Sequence, residues 1–316
     1  MRFWIGLLTL WASLGFIALI FMSTAFLSGK HDDHVTVVLY AAQDQVYAEP
    51  ILKDFEQATG IRVRAIFDSE AVKTVGLANR LLAERDRPQC DIFWGNEELR
   101  TRQLAALGVF RPTNGWAAFG HRSRRIAVRA REGSVAPPPS WRELTNEMYR
   151  GRVALAYPLF GTTATHLMAL RQHWGESNWA AWCQALAANK PFIVDGNSVA
   201  VKFLERGEAA LALTDSDDIA ASIREGADLR ALPMNEETLL IPNTVAVINQ
   251  CPHPGTAEKL FQYLRSSAVV DRLVAAGALE SAQNPGQGTP TLRPDWDRLL
   301  RDLDEATAQL KKYFQR

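Results

Sequence analysis

The chain has 316 residues, and its 35 lysines and arginines are balanced by 35 aspartates and glutamates, so the formal charge at neutral pH is zero. With no basic run to neutralise phosphates, nucleic acid is excluded as the expected partner. Length and an apolar share of 47% imply a globular α/β protein of about two domains. The three cysteines, Cys90, Cys183 and Cys251, form neither a metal-type CxxC pair nor a disulfide framework, and their odd number points to buried thiols.

Residues 3–27 carry no charge. The run is long enough to cross a bilayer, which takes about 20 residues. It is longer than the roughly 7–15-residue apolar core of an average signal peptide. Ser23-Thr24-Ala25 offers small residues for cleavage. Residues 1–27 therefore read either as a signal peptide or as a retained membrane anchor, and residues 28–34 as a polar tether. Both options place the remainder outside the cytoplasm, in a periplasmic or other extracytoplasmic space.

The first globular unit opens with a strand over 35–40, a loop through Gln43 and Asp44, and a helix. The spacing of Ile51, Leu52 and Phe55 is helical, and Gly60 stops it. A second strand, 61–67, ends at Asp68-Ser69-Glu70 and is followed by a helix through Leu82. A third, 91–94, ends at Gly95-Asn96-Glu97, with a helix through Leu107. Three strand-then-helix units in a row predict a parallel, right-handed βαβ layer. Each strand ends in small or polar residues, where open α/β sheets bind ligands, although turns favour the same residue types.

A strand over 121–128 leaves this layer, and Pro137-Pro138-Pro139 with Ser140-Trp141 reads as a stiff connector and helix cap. A second set of βα units starts at 152–156. Its helix begins at Gly161-Thr162-Thr163, whose N–H groups and hydroxyls suit an anion or carbonyl oxygen, or else make an ordinary N-cap. The junction over 193–199 repeats the theme with Asn197 and Ser198. A short buried strand, 209–213, then runs into Asp215, Asp217 and Asp218. These carboxylates read in two ways: as a ligand site at a strand end, or as a solvated helix start capped by Asp215 or Ser216. A late strand over 244–248 follows 240–243, and helices after Gly255 and Pro294 close the chain.

This order of junctions resembles the extracellular solute-binding proteins of ABC importers, family 1, and within them the branch of periplasmic ferric-ion-binding proteins. The resemblance covers about residues 35–280. It rests on Tyr40-Ala41-Ala42-Gln43, Thr59-Gly60-Ile61-Arg62-Val63, Asp91-Ile92-Phe93-Trp94, Arg122-Ser123-Arg124, Gly196-Asn197-Ser198-Val199 and Gly207-Glu208 before the Ala-Leu strand. It implies a two-lobed type II periplasmic-binding-protein fold with two crossover strands, near 122–128 and 239–247, and a ligand cleft between the lobes. The lobes would be 35–122 with 245–295, and 123–244 with 296–316. It also implies a monomer that hands its ligand to an importer permease. Ferric-binding members carry paired tyrosines where this chain has Asp217 and Asp218, and many place a histidine where it has Asp44. Near the family's ligand glutamate stand Asn96 and Glu97.

The expected ligand-binding residues are Gln43, Asp44, Ser69, Glu70, Asn96, Glu97, Arg122, Thr162, Thr163, Asn197, Asp215 and Asp217. Asp44, Glu97, Asp217 and Asp218 are the expected metal ligands. A surplus of carboxylates calls for a cationic partner. A ferric or other hard metal ion suits oxygen donors, with a synergistic anion on Arg122 and the Thr162–Thr163 helix start. A small amine-bearing or phosphonate-type solute would place its amine on the aspartates and its acid group on Arg122. Trp94 and Tyr40 would then wall the pocket through cation–π contact, although each alone is more simply core packing. Arg122 serves equally as a salt-bridge residue at the crossing. No cofactor is obligatory. His121, His166, His173 and His253 lack metal-type spacing, and His166 alone lies near the Thr162–Thr165 junction. An exported carboxylate-based hydrolase is the rival from another class. The chain has no G-x-S-x-G elbow, no G-x-G-x-x-G opening a βαβ unit and no Walker Gly-Lys-Ser/Thr, so a non-enzyme is expected.

Overall fold

The computed structural model describes residues 35–67, 75–131, 135–283 and 289–314. The apolar run and tether, 1–34, and the expected site residues Ser69 and Glu70 lie outside the described residues. Strands β1 (Thr36–Ala41), β2 (Arg62–Phe67) and β3 (Ile92–Gly95) pair in parallel, with β1 in the middle. Helices α1 (Gln45–Thr59), α2 (Val75–Ala83) and α3 (Glu98–Ala106) follow them in turn, as three successive strand–helix units require. Helix α1 buries Ala48, Ile51, Leu52 and Phe55 and stops at Gly60. There a φ of 70° lets the Gly60 N–H donate to Glu56 O at 2.8 Å.

The long strand β4 (Trp116–Arg129) serves both halves of the molecule. Its first part pairs antiparallel with β9 (Leu240–Val247), which also borders β3. From Arg124 onward it pairs with β7 (Leu211–Asp215) and then β8 (Leu229–Ala231). Strand β5 (Val153–Ala156) runs parallel to β7 on one side and to β6 (Phe192–Val194) on the other. The order is β2-β1-β3-β9-β4-β7-β5-β6, with β8 beside β4. Strands β4 and β9 are thus the two crossings of a two-lobed α/β fold.

Two expectations from local pattern shift here. The late strand is not confined to 244–248: it begins at Leu240 and runs through Pro242. Proline has no N–H for the ladder, and it is tolerated because the register of β4 slips between Phe119 and Arg122, opposite Pro242. Strand β7 starts at Leu211 rather than 209 and reaches Asp215, because Arg124 and Arg125 of β4 pair with Asp215 and Thr214.

One core joins Val37, Leu39, Phe55 and Phe93 to Leu260 and Phe261 of α8 (Pro254–Leu264) and Leu273 of α9 (Ser267–Ala275). A second packs Leu155 and Leu213 against α4 (Gly161–Trp174), α5 (Glu176–Ala188), α10 (Trp296–Arg301) and α11 (Leu303–Phe314). Strand alternation puts Ala212 on the other face, with Val201 and Leu204 of α6 (Asn197–Arg206) and Ile219 of α7 (Ser216–Arg224). The two sides also meet behind the crossings. Leu99 of α3 belongs to the second core, and Arg102 lies 5.3 and 5.5 Å over the rings of Trp116 and Trp296. Leu292 also belongs to the second core, and its N–H donates to Thr238 O at 2.9 Å. All three cysteines are free and buried.

Gly95 ends β3 where neighbouring side chains crowd against the backbone. A Cβ there would lie 2.9 Å from both Thr101 Oγ1 and Phe93 Cε1, next to the 2.7 Å Thr101–Thr244 hydroxyl pair. Gly95→Ala is expected to cost about 1–3 kcal/mol through overpacking. In urea it should lower the unfolding midpoint without changing the m-value.

Candidate functional site

Strand-to-helix junctions from both sides converge on one cavity of about 70 Å³. The turn after β1 contributes Gln43 and Asp44, the turn after β3 Asn96, and strand β4 Arg122. From the second side come Tyr157, Phe160, Thr162 and Thr163 after β5, Asp195 and Asn197 after β6, and Asp215, Asp217 and Asp218 at the end of β7. This is the carboxyl edge of the strands, where backbone N–H groups of the following helices point outward. The residues at the N-cap positions of α4, α6 and α7 make no side-chain capping bond. The solvated-cap reading of Asp215 is therefore not what the structure holds.

The structure brings together ten of the expected residues: Gln43, Asp44, Asn96, Arg122, Thr162, Thr163, Asn197, Asp215, Asp217 and Asp218. Glu97 is not on this wall. It caps α3, accepting from Leu99 N–H at 2.8 Å and Arg100 N–H at 2.9 Å, and from Thr165 Oγ1 of the second side at 3.2 Å. Burial pushes its carboxyl up, against the Arg100 charge and these donors, which hold it down. Trp94 and Tyr40 do not wall the cavity either. Both are fully buried in the first core, and the Tyr40 hydroxyl donates to Glu84 at 2.8 Å. Tyr157 and Phe160, with ring centroids 5.8 Å apart, take that place.

A cluster of buried charge underlies the cavity. Asp215 Oδ1 accepts from Arg124 Nη1 at 2.7 Å, while Asp215 Oδ2 accepts from Arg122 Nε and Nη2 at 3.3 Å. Thr162 Oγ1 donates to Asp215 at 2.9 Å and Asn197 Nδ2 at 3.3 Å. Arg122 Nε also lies 3.3 Å from Asp217 Oδ1, and its Nη1 donates to Asn243 Oδ1 at 3.4 Å. Asn243 in turn donates to Gln43 Oε1 at 2.9 Å, tying the cluster to the first side. Desolvation favours the neutral acid at Asp215, but Arg124 and Arg122 together outweigh it and hold this carboxyl below its ordinary range. Desolvation likewise opposes the charge on Arg122, and Asp217, Asp215 and Asp218 overcome it.

Arg124, Asn243 and Asp195 were not among the expected site residues. Arg124 had a legible signal: alternation along a strand puts it on the same face as Arg122. The carboxylates of Asp215, Asp217 and Asp218 bring one oxygen each within 4.8 Å of the others, close enough for them to share one metal ion. Cys, His and Met are absent from the cavity wall among the described residues, which leaves an oxygen donor set. His166, near this wall in sequence, is a core residue. It is buried, its ring stands edge-on to Trp141, and Nε2 lies 2.7 Å from Glu237 O.

The chain belongs to the bacterial extracellular solute-binding proteins, whose family model matches residues 35–278. A protein of Haemophilus influenzae described as uncharacterised is 23% identical over 239 residues, 67% of each chain. Among solved structures, iron-bound HitA from Pseudomonas aeruginosa superposes with a TM-score of 0.75 at 21% identity, over 88% of this chain and 99% of that one. The ferric binding protein from Campylobacter jejuni gives 0.76 at 17%, over 88% and 99%. The periplasmic binding protein AfuA from Actinobacillus pleuropneumoniae, solved with fructose-6-phosphate, gives 0.76 at 19%, over 89% and 98%. These likenesses establish the fold, and the family's role is solute binding outside the cytoplasm. Among the described residues no helix is long and apolar enough to cross a membrane.

Desolvation, helped by the Arg124 charge, holds the His166 pKa down at about 3, against the Glu237 carbonyl and Asp215, which raise it. A folded-state pKa below the unfolded value of about 6.5 means that the unfolded chain binds the proton first. The stability this neutral ring secures is present above that value and is lost as pH falls from it toward 3. Between pH 7 and 5 the loss from this residue should be about 2 kcal/mol. His166→Asn should remove that part of the slope in melting temperature against pH.

Proposed function

We propose that this chain is the ligand-capturing component of an ABC-type importer and that its ligand is a small hard cation, ferric iron or another oxygen-preferring metal ion. The observation that carries this reading is the composition of the cavity wall: five aspartates against one arginine, with oxygen the prevailing donor and no soft ligand among the described residues. Asp217 and Asp218 on the second side and Asp44 on the first are the proposed metal ligands, with Gln43 and Asn96 as further oxygen donors. A cavity of about 70 Å³ suits an ion with its waters better than a drug-sized solute, which takes roughly 300–1,000 Å³.

Capture follows from closure. The lobes, 35–122 with 245–295 and 123–244 with 296–316, would swing on β4 and β9, and a ligand that contacts both favours the closed state. Contacts across the cleft mouth support such a state. Arg224 of α7 donates to the Tyr47 hydroxyl of α1 at 2.8 Å and to the Ala276 carbonyl. The same reading makes the protein an extracytoplasmic monomer serving a permease, held near the membrane or released from it by the fate of residues 1–27.

A second reading, a small amine-bearing or phosphonate-type solute, is favoured by one feature. Phe160, 36% exposed, pairs with Tyr157 on the cavity wall beside the start of α4. Aromatic surface there suits an organic ligand better than a bare ion. AfuA, of the same fold, was solved with a sugar phosphate.

Thermal shift and titration calorimetry on residues 30–316 separate the two. Ferric citrate, Ca²⁺, Mg²⁺ and aminomethylphosphonate would be the probes. The metal reading expects a shift with ferric ion, about 2.7 kcal/mol of stabilisation at 100-fold excess over Kd. Asp218→Asn should weaken that binding at least about tenfold, or 1.4 kcal/mol. A response to the aminophosphonate alone would select the organic solute.

A further inference from the structure

The groups expected to receive the anionic part of a ligand are already engaged with one another. Arg122, Thr162 and Asn197 all donate to Asp215, and Arg124 donates to it from the same face of β4. Between them these four side chains bring two guanidiniums, a hydroxyl and an amide onto one carboxylate. Arg122 and Asp215 are each 3% exposed and Arg124 is 1% exposed. The Asp215 side chain stands at the N-cap position of α7 yet makes no capping bond, so the arginines and not the helix determine its orientation.

We propose that Asp215 is a built-in counter-anion: its carboxylate fills the place on Arg122 and Arg124 that a free oxyanion would otherwise take, so the cleft binds its ligand without a co-bound anion. Two guanidiniums buried side by side keep their charge, and so need a compensating anion before a ligand arrives. A solvent anion would supply it only when bound, whereas a carboxylate held on β7 needs no association step. The consequence is selectivity. A phosphate or carboxylate ligand finds both arginines satisfied and must displace Asp215 to reach them, whereas a cation meets the carboxylates of Asp217 and Asp218 with their arginine neighbour already paired. This last step rests on the cation reading above; the counter-anion role itself does not.

The test uses Asp215→Gly, which leaves a carboxylate-sized gap beside the arginines, and Asp215→Asn, which keeps the gap filled without the charge. Melting temperatures of both variants and the wild type are read in chloride, formate and bicarbonate at equal ionic strength, with no metal present. Asp215→Gly is expected to melt lower than wild type and to recover saturably with formate. Wild type and Asp215→Asn are expected to show no saturable response. If Asp215→Gly does not fold in chloride, refolding yield in formate against chloride is the readout, and formate should restore it. A formate response no larger in Asp215→Gly than in wild type would overturn the proposal. So would saturable stabilisation of the wild type by either oxyanion. In a separate arm, whichever metal ion binds the wild type is titrated with and without bicarbonate. Equal affinities are expected, and a dependence of about tenfold or more would overturn the anion-free site while leaving cation binding intact.

Discussion

Two arginines buried side by side on one strand set conditions that much of the second lobe has to meet. Arg122 and Arg124 share a face of β4, and each guanidinium removed from water costs several kcal/mol unless it is paired and hydrogen-bonded. Compensation comes from the end of β7 through Asp215, from the first turn of α7 through Asp217, and from the starts of α4 and α6 through Thr162 and Asn197. A Leu213 carbonyl accepts one further guanidinium N–H. Because these partners belong to different elements, the cluster fixes how three strand–helix junctions approach one another.

The cluster also reaches the first lobe through Asn243 and Gln43, so the two sides are coupled at the crossing strands and not only at the cleft rim. Leu99 of α3 also joins the second core and Arg102 lies over the rings of Trp116 and Trp296, while Arg224 of α7 meets the Tyr47 hydroxyl and the Ala276 carbonyl. Exposed polar contacts of this kind contribute little individually, whereas buried apolar area is costly to open.

Much of this fold was legible in the chain. The three strand–helix units and the Gly60 stop follow from apolar period and glycine placement, which act over a few residues, and both crossings from the resemblance to the solute-binding proteins. Ten of the expected site residues meet on the cavity because strand ends carry ligands in sheets of this kind. The misses are tertiary. Glu97 has the right chemistry and the right junction, yet its carboxylate turns back to cap α3 and to meet Thr165 from the other lobe. Trp94 stands one residue before the end of a strand beside the site but is packed in the first core, which covers both faces of β3. Arg124 lay in plain view two residues from Arg122. Its role appears only with its partner, Asp215, 91 positions further along the chain.

By itself the sequence determined an α/β protein with acidic strand ends, because secondary structure and its order are set by local patterns of apolar, small and capping residues; the two lobes were implied by its resemblance to solute-binding proteins. Only the tertiary structure decided which of those acids is bound directly to the buried arginines. Electrostatic pairing depends on distance and burial, and both are properties of the folded chain: Asp215 and Asp218 are near neighbours in sequence, yet one is bound to two buried arginines while the other accepts from Thr214 at 3.0 Å on the cavity wall.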